Sequence, residues 1–182
     1  MIKEEIAKSV ANNLFSEEGM NVFAILDGAS IPDLQETLHQ HQPEFVCLYR
    51  GEIEPDLASV AHYLVQVRPQ TAWADWLIRQ GWGEHWGVFA LSQGSLVAMR
   101  KHFRTFLTVH DSDGKPLLFR YYDPRVLRLY LPTCNPEELQ TIFGPVTSYI
   151  LEAEDPNTLL RFYFTKDALQ QLNKVLAAGA GR

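Results

Sequence analysis

The amino-acid sequence predicts one α/β (α+β) domain, in which a mixed sheet is flanked by helices. Short apolar runs with the period of a strand alternate with segments that have the period of a helix along the whole chain. No repeat, low-complexity stretch or linker divides the sequence. The 182 residues match the length of one ordinary domain. We therefore assign residues 1–182 to a single domain, with a small C-terminal part at about 133–182.

Predicted elements alternate through the first 110 residues. Ile6, Val10 and Leu14 are four residues apart and predict an amphipathic helix over residues 3–15. Apolar runs predict strands at residues 22–26, 45–49, 61–67, 86–91 and 105–110. Further helices are predicted from a weak capping box at Ser30 and Asp33, from Thr71 to Gly81, and after Ser92.

Residues 117–132 carry the most informative local pattern of the chain. Alternating apolar residues predict a strand over 117–122, and Asp123 with Pro124 predicts the N-cap and first turn of a helix that follows at once. Arg120 interrupts this apolar strand. An arginine that is buried without a partner is costly, so we expect Arg120 to meet a carboxylate, a carbonyl or a partner protein.

The C-terminal part is predicted as helix, strand, strand and helix. Asn135, Pro136 and Glu138 have the spacing of a capping box with proline in the first turn. Strands are predicted at residues 147–152 and 159–164, on either side of a turn. A last helix is predicted from the apolar residues Leu169, Leu172, Val175 and Leu176.

Composition argues against some classes of partner. The net charge is −6, without a long run of one sign, whereas non-specific nucleic-acid binding depends on a basic surface. Cys47 and Cys134 are not part of a C-x-x-C pair and are expected to be reduced structural thiols. No signal pattern begins the chain, and no apolar stretch approaches the ~18–20 residues of a membrane span. We expect a cytoplasmic protein without nucleic-acid or membrane partners.

Patterns that are typical of catalysis are weak. The segment Ser92–Ser95 lacks the glycines of a G-x-S-x-G nucleophile elbow, and no pair of histidines has the spacing of a zinc-binding helix. We therefore expect no catalytic residue, no metal and no cofactor. For an enzyme of unrecognised type, the candidate titratable groups would be Asp27, His62 and His85.

Two groups of residues are predicted to matter for structure or binding. Asp27, Arg120 and Asp123 are expected to share one buried polar cluster, because Asp27 and Arg120 are each costly to bury alone. A partner-binding groove is expected near four closely spaced tryptophans and the 124–131 helix. Its candidate residues are Trp73, Trp76, Trp82, Trp86, Tyr122, Arg125 and Arg128. The alternatives are a core role for the tryptophans and a solvated helix face for the arginines.

An ordered set of motifs resembles a known bacterial family. The motifs are AILDGA at 24–29, CLYRG at 47–51, YLV at 63–65, WGVF at 86–89 followed by Ser92, HFRTFL at 102–107, FRYYDPRVL at 119–127 and FGP at 143–145. In this order, over about residues 22–146, they resemble the small cytoplasmic adaptor-chaperones of type VI secretion, long described as a domain of unknown function. The chain departs from the family pattern at His62, where proline is frequent, and at Tyr149, where tryptophan is common.

The resemblance implies a role in loading. Members of the family bind one effector toxin, usually encoded beside them, and help to deliver it to the trimeric spike-tip protein (VgrG) of the secretion needle. They are not known to catalyse a reaction, so the resemblance implies a non-enzymatic protein whose partners are the cognate effector and the spike. The 150–182 segment matches no specific motif and is a candidate for partner choice.

An immunity protein is the competing interpretation, because immunity proteins are also small, acidic and encoded beside toxins. The two classes differ in the part of the toxin that they engage. An immunity protein blocks the catalytic domain of its toxin, whereas an adaptor leaves the toxin active.

Overall fold

The structure, a computed structural model, describes residues 2–51, 54–110 and 113–176. Its helices are α1 (Glu4–Leu14), α2 (Leu34–His41), α3 (Pro55–Ser59), α4 (Ala72–Gly81), α5 (Leu96–Phe103), α6 (Pro124–Tyr130) and α7 (Pro136–Phe143). Its strands are β1 (Asn21–Asp27), β2 (Phe45–Cys47), β3 (His62–Val67), β4 (Gly87–Ser92), β5 (Thr108–His110), β6 (Pro116–Leu118), β7 (Ser148–Glu152), β8 (Thr158–Thr165) and β9 (Ala168–Val175).

Seven strands form one sheet in the order β2-β3-β1-β4-β7-β8-β9, and β5 pairs with β6 in a separate hairpin. The single α+β domain is confirmed. Every strand pair is antiparallel, so the expected mixture of parallel and antiparallel strands is wrong. The segment after residue 133 contributes β7, β8 and β9 to this sheet, with β7 paired directly to β4.

Helices cover both faces of the sheet. Alternate residues of β1 point to opposite sides, with Val22, Ala24 and Leu26 in one core and Phe23 and Ile25 in the other. The first core is closed by apolar residues of α1, α2 and α4, and the second by those of α5, α6 and α7. Because β1 is buried on both faces, its apolar residues run without a break, and the ends of the strands are the places where polar groups gather.

The predicted C-terminal helix is wrong. Residues 168–175 form β9, which pairs with β8 along its whole length. The connection between them is two residues long, and both Lys166 and Asp167 have a positive φ, as in a type I′ hairpin. The C-terminal part is therefore helix, strand, strand, strand. Residues 177–182, where the predicted helix is expected to fray, lie outside the described residues.

Two other local predictions need correction. The strand that begins at Pro116 ends at Leu118, so Arg120 lies in a connecting turn and does not interrupt a strand. The reason is that Tyr121 and Tyr122 are both buried, which two successive residues on a one-sided surface strand cannot achieve. The capping box at Ser30 is also absent, since α2 begins after Asp33, which has a φ of 52° and makes no side-chain cap.

The helices of the described ranges are short. None of those within residues 2–51, 54–110 and 113–176 has the length and apolar character needed to cross a membrane.

Candidate functional site

Ionisable side chains gather at one end of the seven-stranded sheet. Asp27 ends β1 opposite His62, the first residue of β3, while β4 begins and β7 ends at the same level. Asp27, His62, Asp123 and Glu152 are only 3–4% exposed. We call these four residues, with the groups that contact them, the polar end of the sheet. Burial of such groups is unfavourable unless hydrogen bonds or opposite charges compensate, so the partners of each decide what this region can do.

Asp27 is held by the turn that follows it. Its carboxylate accepts hydrogen bonds from the backbone N–H of Ala29 and the hydroxyl of Ser30, both at 3.1 Å. Gly28 allows this turn to pack against the start of β3, because a Cβ at that position would lie 2.2 Å from the carbonyl oxygen of Ala61. Gly28 of the AILDGA motif is thus required by close backbone packing, and Asp27 before it is the buried carboxylate that the turn holds.

Arg120 bridges two buried carboxylates. One of its terminal nitrogens lies 3.4 Å from Asp27 Oδ2 and 3.2 Å from Asp123 Oδ2. The expected cluster of Asp27, Arg120 and Asp123 therefore has contacts between all its members through the arginine. The arginine side chain is 47% exposed, whereas the carboxylates are buried. The guanidinium closes the cluster from the solvent side, so the prediction that the whole cluster is buried holds only for its acidic members.

Asp123 caps α6 and also binds the next arginine. Its Oδ1 accepts a hydrogen bond from the backbone N–H of Arg125 at 2.9 Å, and the Arg125 guanidinium binds both carboxylate oxygens at 2.9 and 2.8 Å. Burial acts to raise the pKa of Asp123, but the hydrogen bonds and charge of Arg125, with the charge of Arg120, outweigh it and lower the pKa. Asp123 is consequently an anion at neutral pH that fixes the first turn of α6.

His62 packs among aromatic rings beside Asp27. Its ring stacks on Tyr122 at a centroid distance of 3.8 Å, and Nε2 lies 3.2 Å from the Tyr49 hydroxyl. Nδ1 faces Asp27 at 3.6 Å and has no hydrogen-bond partner among the described residues. Burial, opposed by Asp27 and assisted by Arg120, lowers the pKa of His62 to about 4. The ring is therefore neutral at physiological pH.

Glu152 organises a loop on the other side of the polar end. Its carboxylate accepts hydrogen bonds from the backbone N–H groups of Gly83 and His85 and contacts the His85 ring. Burial raises the pKa of Glu152, and the hydrogen bonds from these donors lower it by a smaller amount, so that the pKa remains above its usual value. The residue is one that the sequence prediction missed. Its only sequence signal is an acidic residue at the end of an apolar strand.

Arg104 is a second residue whose role the sequence did not reveal. It follows α5 and donates to the carbonyl oxygens of Leu48 at 2.9 Å and Cys47 at 3.0 Å, and to that of Tyr49. These carbonyls belong to the end of β2 and the turn after it. The HFRTFL motif and the CLYRG motif are therefore joined by one guanidinium.

The tryptophans and α6 lie on opposite faces of the sheet. Trp73 and Trp82 are buried in the first core, and Trp76 and Trp86 pack partly buried against it, whereas α6 closes the second core through Leu127. A single groove lined by both is therefore wrong, because the sheet separates them. For Trp73 and Trp82 the core alternative is the correct one.

The other residues predicted to line the groove, Tyr122, Arg125 and Arg128, have different surroundings. Tyr122 is 1% exposed and stacks on His62, so its role is packing. Arg125 is held by Asp123, and Arg128 is half-buried with one guanidinium nitrogen that has no partner among the described residues. The residue on α6 that is most open to solvent is Leu129, at 71% exposure, which the sequence prediction did not include.

Most ionisable groups of the polar end already have partners within the protein. The three residues named as candidates for an unrecognised enzyme are all present there, with His62 beside Asp27 and His85 on Glu152. Each buried carboxylate, however, is engaged by backbone N–H groups, a hydroxyl or an arginine. No group of three or more histidine, cysteine, aspartate or glutamate side chains in the described ranges could hold a metal ion. The arrangement is suited to fixing loops and α6 in place.

Comparison with protein families assigns the chain to one family. The model of a domain of unknown function, DUF4123, matches residues 22–141, about two thirds of the sequence. The chain belongs to the DUF4123 family. Searches of curated proteins and of solved structures gave no significant match.

The DUF4123 region contains most of the polar end. Asp27, His62, Arg120, Asp123 and Arg125 all lie within residues 22–141, whereas Glu152 lies beyond them. The region ends inside α7, so that β7, β8 and β9 follow it. The cluster that caps α6 is thus built entirely within the DUF4123 region, and the last three strands of the sheet are additional to it.

Proposed function

We propose that this DUF4123 protein is a cytoplasmic adaptor-chaperone of type VI secretion. It binds a cognate effector toxin and helps to load it onto the spike-tip protein VgrG, without catalysing a reaction. The order of the sequence motifs supports this proposal, as does membership of the family. The structural observation that carries the proposal concerns the charged residues of the FRYYDPRVL motif. They fix the first turn of α6, and the outer side of this helix is exposed to solvent at Leu129.

The outer side of α6 has the composition of a protein-binding surface. Leu129 lies in a shallow depression of about 660 Å³ that is also lined by Val126, Tyr130 and Thr133, and by the ion-paired residues Arg120, Asp123 and Arg125. Interfaces commonly have an apolar centre and a polar rim, and tyrosine and arginine are enriched at their energetic hot spots. We infer that the effector contributes an apolar segment to this surface. We call the surface around Leu129 the α6 surface.

The internal pairing of the polar end agrees with a binding role. A catalytic carboxylate needs a free oxygen directed at a substrate. Asp123 instead receives Arg120 and Arg125, and Glu152 receives three donors from one loop. The contacts of Asp123 hold the first turn of α6 in place. A surface that is held in place before binding loses little conformational entropy when a partner binds.

Leu129→Glu is expected to weaken effector binding by 10- to 100-fold, about 1.4–2.8 kcal/mol, without loss of folding. The substitution puts a charge at the centre of the apolar patch, where an apolar segment of the effector would have to cover it. Val97→Glu is the matched control, because Val97 is 75% exposed on α5 and undergoes the same chemical change. The measurement is the Kd for the purified effector by calorimetry, with the melting temperature of each variant. Equal affinities for both variants would remove the α6 surface from the proposal.

Co-purification tests the function itself. The chain should be expressed with the effector and spike proteins encoded beside it, and any complex assayed for toxin activity. We expect a complex that contains all three proteins and an active toxin. A binary complex in which the toxin is silenced would establish an immunity protein instead, and the absence of any complex would overturn the adaptor proposal.

A further inference from the structure

Strand β9 is an open edge of the sheet. Its eight residues, Ala168–Val175, pair with β8 on one side in an unbroken one-to-one register. No strand of the described part of the chain pairs with its other side. The opposite edge, β2, has only three residues. A long edge leaves a row of backbone N–H and C=O groups directed outward, which is a template for the addition of another strand.

Most of the usual protections of such an edge are missing from β9. The segment ALQQLNKV contains no proline or glycine and only one charged residue, Lys174. The continuous register shows that no bulge twists the edge away. Two of its apolar side chains are open to solvent, with Leu172 at 56% and Val175 at 75% exposure. These properties are expected of a strand that acquires a neighbour.

The sequence of β9 is complementary to itself. In an antiparallel pair, residues directly opposite one another share a face of the sheet. When two copies are placed antiparallel with the two-fold axis at Leu172, each leucine faces its own counterpart. Leu169 then lies opposite Val175, Gln171 opposite Asn173, and Gln170 opposite Lys174. The apolar residues 169, 172 and 175 meet apolar residues, the polar residues 170, 171, 173 and 174 meet polar residues, and no like charges face each other.

Neighbouring registers lose this match. An axis at Lys174 places two lysines opposite one another, and an axis at Gln171 or Asn173 places Leu172 against a glutamine or a lysine. An axis at Gln170 places Leu169 against Gln171 and leaves Lys174 and Val175 outside the pairing with residues 168–172. Like charges directly opposite each other are destabilising. A single register is therefore selected, which is the condition for a defined complex rather than loose edge-to-edge aggregation.

We propose that two copies of this chain associate through β9, with the two-fold axis at Leu172. The two seven-stranded sheets then continue into one another across the paired strands. The interface is isologous, since the same strand contributes on both sides. It is remote in sequence from the α6 surface, and the proposal does not depend on the adaptor function.

Sedimentation equilibrium of the full chain is the first test. We expect a concentration-dependent dimer for the natural sequence and at least a tenfold weaker one for Leu172→Lys, because that variant puts two lysines at the axis. Leu117→Lys is the matched control, since Leu117 is also about half-exposed, on β6. A natural chain that stays monomeric up to millimolar concentration would overturn the proposal. An effect of Leu172→Lys on effector affinity alone would assign the edge to the effector and overturn it equally.

A pair of charged variants tests the register. The double variant Gln171→Lys/Asn173→Lys and the double variant Gln171→Glu/Asn173→Glu should each be monomeric, because the antiparallel register brings like charges together at both positions. A mixture of the two should form heterodimers. Homodimers that survive in either double variant would place the interface elsewhere.

Discussion

Replacing Asp123 with alanine is expected to lower the free energy of unfolding by about 3 kcal/mol. Loss of a helix N-cap costs about 1 kcal/mol, and loss of hydrogen bonds to a charged group costs about 1.5–3 kcal/mol. Asp123 provides both, since its buried carboxylate caps α6 and binds Arg125 and Arg120. The measurement is urea unfolding of the purified chain near pH 7, followed by circular dichroism.

Two variants distinguish the parts of this effect. Asp123→Asn keeps a capping oxygen but not the charge, and should fall between the natural chain and the alanine variant. Arg125→Ala should cost about 1 kcal/mol at most, because the arginine is half-exposed and water can replace part of its contacts. If Asp123→Ala unfolds with the natural free energy, the cluster does not stabilise the fold and its role lies in binding.

Acid is expected to destabilise the protein through His62. The pKa of this histidine is about 4 in the folded protein and 6.5 in its reference state, so the unfolded chain binds the proton first as the pH falls. The stabilisation is complete above pH 6.5 and is lost between pH 6.5 and 4. The difference in pKa corresponds to about 3 kcal/mol, most of it lost by about pH 4.5. The measurement is the free energy of unfolding at a series of pH values.

His62→Phe is the control for this titration. Phenylalanine keeps a ring against Tyr122 but cannot take up a proton, so its stability should change less between pH 7.5 and 4.5. Glu152 acts in the opposite direction in both proteins, because its raised pKa favours the folded state as the pH falls. The difference between the two curves therefore isolates His62. Parallel curves would show that the histidine is not the acid-sensitive group.

The cores of the fold could be predicted from the sequence because they follow simple periodicities. Continuous apolar runs gave β1, β3 and β4, and the capping signals at Thr71, Asp123 and Asn135 are all made in the structure. The β9 strand could not be recognised, since its leucines also fit a helical stripe. The turn before it offered no help either, because Lys166 and Asp167 adopt positive φ without the glycine or asparagine that marks such turns.

The polar end was predictable only in part. The cost of burying either group alone predicts that Asp27 and Arg120 pair, and the structure places them in contact. Glu152 and Arg104 act on partners more than fifty residues away, and no local pattern indicates such contacts. The prediction of a groove beside the tryptophans was wrong because spacing along the chain does not indicate on which side of a central sheet a helix will pack.

The unequal edges of the sheet limit how large any assembly can become. The β2 edge has only three residues with which an added strand could pair, whereas the β9 edge has eight. A molecule that could accept strands at both edges would polymerise into filaments as its concentration rose. Within the described residues, the seven-stranded sheet has one long open edge, and a strand added at β9 occupies it. Pairing through β9 would therefore give small particles of finite size and not fibres.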